Sequence, residues 1–187
     1  NVIISNIDKV PDPSFSETER QQWKAEAKIF RGMMLFDLAH WFGNIPLNLT
    51  EAPDITADNI EEVYPIYFPM PVSQDSAYKQ VIKDLTEAIP YAPALNPNDK
   101  RVLSKTVAYA LLAKLYAELG EWDKVIEYSD MVFADGIALA DNYADIWKYD
   151  ENIGDANRNN VETILEAQYT AASGNWVTWM FGRNLSN

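Results

Sequence analysis

Cysteine is absent from the 187-residue chain, and histidine occurs once, as His40. The first absence excludes a disulfide framework, a thiolate metal site and a cysteine nucleophile. The second leaves His40 without the partner histidines that a zinc site or a hydrolytic triad draws on. It is expected to be a packed or surface side chain rather than a general base. No apolar run reaches the roughly 18 residues of a membrane-spanning helix. Positive charge is scarce: 15 Lys and Arg stand against 28 Asp and Glu, a formal net charge of −13. A surface of that sign repels a phosphate backbone, which argues against nucleic acid as a partner. Its expected role is solubility. No glycine-rich phosphate cradle and no G-x-S-x-G elbow is present.

What is there is helical pattern. From Lys105 to Phe133 the chain reads as two amphipathic helices broken at Gly120, a residue suited to the left-handed C-terminal cap. Val107, Ala110, Leu111, Leu115, Tyr116 and Leu119 line the first; Trp122, Val125, Ile126, Ser129, Val132 and Phe133 line the second. Joined by so short a turn, the helices must lie antiparallel with their stripes together. Tyr109, Leu112, Ala113 and Tyr116, then Gly120, Trp122, Ile126 and Phe133, occupy the packing positions of a tetratricopeptide-like hairpin. The small Ala113 is placed at the crossing.

Earlier in the chain, Ser16 with Glu19 forms a capping box, and a helix is expected from there to about Trp41. Trp23, Ala27, Phe30, Met34, Leu38 and Trp41 make one stripe, widened by Ile29, Met33 and Phe36. So broad a stripe implies contacts on two sides, as in the middle of a helical stack. Trp23 and Trp41 on this stripe, and Trp122 on that of the second hairpin helix, are expected to be core residues. Gly43 ends this helix. Residues 48–71 carry Pro53, Pro65, Pro69 and Pro71 and are expected to be a long loop anchored by Tyr64, Ile66, Tyr67 and Phe68. A helix from Ser73 to Ile89 follows, with Tyr78, Val81, Ile82, Leu85, Ala88 and Ile89 inward, and Ser104 is expected to cap the central hairpin. After it come an Asp135-Gly136 turn, a helical turn over Asn142–Trp147, an exposed loop over 150–160 and a short strand over Thr163–Tyr169. The chain opens at Asn1-Val-Ile-Ile without an initiator Met or a signal peptide, and it stops at Asn187 after an aromatic-rich stretch. It reads as an internal fragment of a longer protein.

The chemistry-bearing constellations are few. With 28 acidic residues some close carboxylate pair is inevitable, so proximity in sequence does not point to glycoside hydrolysis, which needs two carboxylates opposed across a cleft. Asp150-Glu-Asn-Ile-Gly-Asp155 opens like a calcium loop but lacks glycine at the sixth position and carries Val161 where the twelfth requires glutamate. No catalytic residue, metal site or cofactor is expected. What remains is the aromatic inventory of 6 Trp, 10 Tyr and 7 Phe. Sugar rings stack their C–H faces on flat aromatics while Asn, Asp and Arg take the hydroxyls. Trp176 and Trp179 beside Asn175 and Arg183 have that chemistry, and Trp147 with Tyr149 next to the Asn-rich loop is a second candidate.

The order of motifs carries a resemblance. Ala25-Glu-Ala-Lys-Ile-Phe-Arg31, Leu35-Phe-Asp-Leu38 and Trp41-Phe-Gly-Asn-Ile-Pro-Leu47 are followed by Tyr78–Ile89, Ala108–Tyr116, Gly120–Lys124, Asn142–Asp145 and Glu162–Tyr169. Together they resemble the SusD/RagB family over nearly the whole chain, with departures at Gly32, where the family usually has alanine, and at Asn44, where it usually has aspartate. The resemblance implies a non-catalytic lipoprotein on the outer face of the outer membrane of Bacteroidetes. It implies binding of nutrients, most often glycans, and delivery to a SusC-type TonB-dependent transporter. It also implies a lipid anchor outside this chain and no cofactor.

The expected fold is therefore all-α, a single SusD-like helical domain over 1–187 built of tetratricopeptide-like antiparallel pairs with a minor strand and long loops, lacking the N-terminal and C-terminal parts of the full protein. A competing reading is a tetratricopeptide-type adaptor that grips a peptide. It would place basic clamp residues at regular spacing on the inner faces, and Lys105, Lys114 and Lys124 are too few and too scattered for that.

Overall fold

A computed structural model describes residues 1–147, 149–150, 155–156 and 158–168. Its helices are α1 (Val2–Asn6), continued by a 3-10 turn over Ile7–Lys9, α2 (Glu17–Phe42), α3 (Ile60–Tyr67), α4 (Gln74–Ala88), α5 (Lys105–Leu119), α6 (Trp122–Ala134) and α7 (Tyr143–Ile146). Two antiparallel two-residue ladders accompany them. In one, β1 (Ile45–Pro46) pairs Ile45 with Val72 of β2 (Pro71–Val72); in the other, β3 (Tyr149–Asp150) pairs Tyr149 with Ala156 of β4 (Asp155–Ala156). The all-α scaffold of antiparallel pairs expected from the sequence is the observed one.

The capping box at the start of α2 is formed. The Ser16 hydroxyl accepts from the Glu19 amide, and the Glu19 carboxylate accepts from the Ser16 amide at 2.9 Å. The Ser16 hydroxyl also donates to the Glu19 carboxylate at 2.7 Å, and this bond together with the one from the Ser16 amide holds the Glu19 carboxyl below its usual value by favouring its charged form. At the other end of the scaffold Gly120 adopts φ 74°, ψ 16° and closes α5, a conformation that a Cβ would penalise. Ser104 does stand at the N-cap of α5, but its buried hydroxyl makes no capping hydrogen bond.

α2 and α4 pack antiparallel, as their contacts run in opposite order. Gln74 Nε2, at the start of α4, donates to the Ala39 carbonyl near the end of α2 at 2.8 Å. Lys28, early in α2, pairs with Glu87, late in α4, at 2.7 Å. Between these lies a buried fork. Arg31 donates from Nε and Nη2 to the two carboxylate oxygens of Asp84 at 2.7 and 2.6 Å, and Asp84 is 1% exposed. Gln80 adds a donor to Asp84, while Arg31 Nη1 reaches Asn1 Oδ1 and the Leu49 carbonyl. The helices approach closely here: a Cβ added at Gly32 would lie 3.1 Å from Leu85 Cδ2. Ala25, Ile29, Phe36 and Ala39 of α2 and Ala77, Val81, Leu85 and Ala88 of α4 fill the rest of this interface.

α5 and α6 form the second pair, also antiparallel. Thr106, at the start of α5, donates to Asp135, just past α6, at 2.6 Å. Tyr116 stacks on Tyr128 with centroids 5.7 Å apart and planes 5° from parallel. Burial pushes both phenols above their ordinary pKa. Leu112 and Leu115 of α5 join the α2–α4 core, and Lys114 lies over the Phe36 ring.

Several expectations about which residues lie inside are corrected. Trp23, Phe30, Met34, Leu38 and Trp41 face solvent, as do Trp122, Ile126 and Phe133. On α2 the buried residues are Ala25, Ile29, Gly32, Leu35, Phe36 and Ala39, of which Ile29 and Phe36 belong to the expected widening; on α6 Val132 of the expected stripe is buried, with Val125 and Ser129 half-buried. Ala113 is only half-buried. The stretch 48–71 is not all loop. It contains α3, with Val63 buried and Ile66 half-buried; Tyr64 and Phe68 are exposed rather than anchors, while Tyr67, also exposed, donates its hydroxyl to the Pro53 carbonyl at 2.7 Å. Residues 163–168 form no strand; Ile164 and Leu165 pack on the core from an irregular segment.

Two substitutions test this architecture. Asp84→Ala strands a buried guanidinium and is expected to lower the urea-unfolding free energy by about 3–5 kcal/mol. A loss under ~1 kcal/mol, the size of an exposed pair, would show that the fork is not sealed from water. Gly32→Val forces two more carbon groups against Leu85 and is expected to cost about 1–3 kcal/mol in the same assay.

Candidate functional site

Of the ligand-binding candidates in the sequence, Asn175, Trp176, Trp179 and Arg183 lie outside the described residues. Trp147 lies inside them and is 70% exposed. The backbone of Tyr149 is placed by its pairing with Ala156, and its side chain is outside the description. The structure adds a residue that the sequence reading did not single out. Tyr143 is 71% exposed and meets Trp147 with ring centroids 6.2 Å apart and planes at 65°. The signal for it was present: two aromatics at i and i+4 on a helical turn share a face. Planes so steeply inclined let one ring at a time present its face to a flat ligand.

The local sequence sets this pair. Asn142 Oδ1 accepts from the Ala144 amide at 3.0 Å, which starts α7 and orients both aromatics. Asp141 and Asn142 are exposed next to the rings. They supply a carboxylate and an amide within the same stretch.

The chain around α7 is anchored at its flanks. Before it, Ile137 is buried, the Ala138 amide donates to the Val161 carbonyl at 3.3 Å and the Ala140 amide to Glu162 Oε1 at 2.9 Å. After it, residues 158–168 are fastened to the α4–α5 connection. Lys100, only 4% exposed, donates from Nζ to the Asn160 carbonyl at 2.7 Å and from its amide to Asn159 Oδ1 at 2.9 Å. Asn159 adopts φ 53°, a left-handed conformation that asparagine tolerates. Its side-chain amide reaches the Asn98 carbonyl, and its backbone amide donates to Glu166. Burial pushes the Lys100 ammonium below its ordinary pKa, and the nearby Glu166 carboxylate opposes that shift.

His40 Nδ1 lies 3.0 Å from Glu118 Oε1, and its ring stacks on Phe36. It joins α2 to α5 as a packing residue. Among the described residues no group of three or more His, Asp or Glu side chains could hold a metal ion. No described helix is long and apolar enough to cross a membrane. The stretch at α7 offers apolar ring faces beside hydrogen-bonding groups.

Comparison with known proteins bears on what is recognised. A family profile described as "SusD-like_3: Starch-binding associating with outer membrane" matches residues 1–117. A curated SusD-like protein of Bacteroides ovatus is 26% identical over 188 residues, covering 94% of this chain and 31% of its own length. Among solved structures, a laminarin-binding SusD-like protein superposes with a TM-score of 0.70 at 27% identity, over 88% of this chain and 34% of that one. A SusD superfamily protein from Bacteroides vulgatus gives a TM-score of 0.67 at 25% identity, over 89% and 33%. The chain thus spans about a third of the length of these relatives. With the profile matched over more than half of its residues, on a scaffold the solved relatives share, this chain belongs to the SusD-like family.

Proposed function

We propose that this chain is the helical scaffold of a protein that binds a glycan without transforming it, at the bacterial cell surface. In this reading the protein is held to the outer membrane by a lipid anchor and passes its ligand to a SusC-type TonB-dependent transporter. The observation that carries the glycan reading is the exposed Tyr143–Trp147 pair, set on anchored chain and flanked by Asp141 and Asn142. A pyranose offers an apolar C–H face to stack on a ring and a rim of hydroxyls for the carboxylate and amide. The name of the laminarin-binding relative supports the same ligand class. Trp176, Trp179, Asn175 and Arg183 are proposed as a second aromatic surface of the same chemistry, and Tyr149 as a neighbour of the first.

A few CH–π stacks with polar contacts correspond to dissociation constants on the order of micromolar to millimolar. The residue types among the described residues of the site, rings, amides and single carboxylates, support recognition without catalysis.

Isothermal titration of the protein with laminarin and a panel of neutral oligosaccharides tests the reading. Trp147→Ala is expected to weaken binding of the ligand so found by at least tenfold, and Tyr143→Ala by less, with the helical circular dichroism of both unchanged. Trp176→Ala and Trp179→Ala report separately on the second surface. Binding that survives loss of all of these aromatics would overturn the assignment, and release of shorter sugars during the titration would overturn the non-catalytic reading.

A further inference from the structure

The helical turn α7 lies between two stretches of chain that are hydrogen-bonded to each other. The Ala138 and Ala140 amides, before it, donate to the Val161 carbonyl and to Glu162 Oε1, after it. These bonds join the two stretches but do not fix them to the helices. Ile137 is buried, and Ile164 and Leu165 pack on the core. Apolar burial is non-directional, however, and leaves a packed stretch free to turn.

Direction comes from Lys100 and Asn159. Lys100 engages the later stretch at three points: its amide donates to Asn159 Oδ1 at 2.9 Å, its ammonium donates to the Asn160 carbonyl at 2.7 Å, and its carbonyl accepts from the Glu166 amide at 2.9 Å. Asn159 answers with its side-chain amide on the Asn98 carbonyl and its backbone amide on Glu166 Oε2, both at 2.9 Å. Asn160 passes the constraint on. Its Oδ1 accepts from the Glu162 amide at 3.0 Å, and Glu162 carries the carboxylate that holds Ala140. Tyr143 follows three residues later. A continuous set of hydrogen bonds therefore runs from Lys100 to the start of the aromatic turn.

Lys100 is almost fully buried, and burying its ammonium costs desolvation that an apolar side chain of similar length would not incur. What the ammonium adds is a fixed direction toward one carbonyl. We propose that Lys100 and Asn159 are positioning residues for the Tyr143–Trp147 pair: they fix the orientation in which the rings meet a glycan. The inference rests on the glycan reading of α7. Rings held in place before the ligand arrives lose less freedom on binding, so the affinity of the site is set in part by side chains behind it.

Fluorine spectroscopy reads the position of the ring with no glycan present. The full-length protein is labelled with 5-fluorotryptophan, and the Trp147 resonance is identified by its loss in Trp147→Phe. Lys100→Met removes the ammonium from a side chain of similar length. Asn159→Gly removes the side-chain bonds and keeps the left-handed backbone without strain; it serves as the second variant should Lys100→Met fail to fold. Each is expected to shift or broaden the Trp147 line. Gly32→Val, which strains the α2–α4 interface instead, is expected to leave the line where it is. Titrated with laminarin, Lys100→Met and Asn159→Gly are expected to lose about fivefold in affinity. An unchanged Trp147 line in both variants overturns the inference, and so does a line that moves as far in Gly32→Val. Laminarin binding that Trp147→Ala weakens and the two variants leave intact overturns it as well. Laminarin binding that is absent, or that Trp147→Ala leaves intact, counts against the glycan reading instead. The fluorine line then decides alone whether Lys100 and Asn159 hold the ring.

Discussion

Arg31 and Asp84 meet beside the close approach of α2 and α4 at Gly32, and the rest of the scaffold is arranged around that meeting. Taking both charges out of water costs several kcal/mol per ion. That cost is offset only because the geometry is complete: a two-pronged fork, a further donor from Gln80, and Asn1 and the Leu49 carbonyl on the free edge of the guanidinium. The pair adds registry as well as attraction. Sliding α4 by one turn would bring Val81 or Ala88 opposite Arg31 and leave both charges without their partner. It also ties the chain's first residue and the segment after β1 to the same point, so distant stretches are ordered by one contact.

The second pair uses different physics. α5 and α6 are joined by a glycine turn and held by stacked tyrosines and by Thr106 on Asp135. Their contact is local and follows from the turn. The α2–α4 contact is separated by some thirty residues of chain containing α3 and both strands of a ladder. It therefore depends on the specificity that the buried charge pair provides. The polar cluster around Lys100 and Asn159 extends the same principle to an irregular segment, which is fixed by hydrogen bonds rather than by a ladder. The exposed Tyr143 and Trp147 stand on chain fixed in this way.

α2 carries apolar residues on both faces. Its inner face is small-residue-rich, with Ala25, Gly32 and Ala39 allowing close approach to α4; its outer face carries bulky rings and Met34. This division of sizes gives the inner contact its short distance. It leaves the outer face with the larger hydrophobic area and the larger drive to be covered.

The sequence alone determined what depends on near neighbours in the chain. The Ser16–Glu19 box, the Gly120 cap, the α4 stripe and the antiparallel α5–α6 hairpin follow from side chains three or four residues apart, and they were legible for that reason. The order of motifs also carried the family, because landmarks in a fixed order survive where single residues vary. Only the tertiary structure decided which of two apolar stripes on α2 lies inside. Periodicity reports that a face exists, while the choice between faces depends on whether small residues let a neighbour approach, as Gly32 does against Leu85. The same limit hid the partnership of Arg31 with Asp84, which are far apart in sequence. It hid the helix within the proline-rich stretch 48–71, and the exposure of Trp23, Trp41 and Trp122. An aromatic ring has the same character in the sequence whether it is buried or in water. Its surroundings are a property of the packed chain, because burial is settled by contacts that no local pattern specifies.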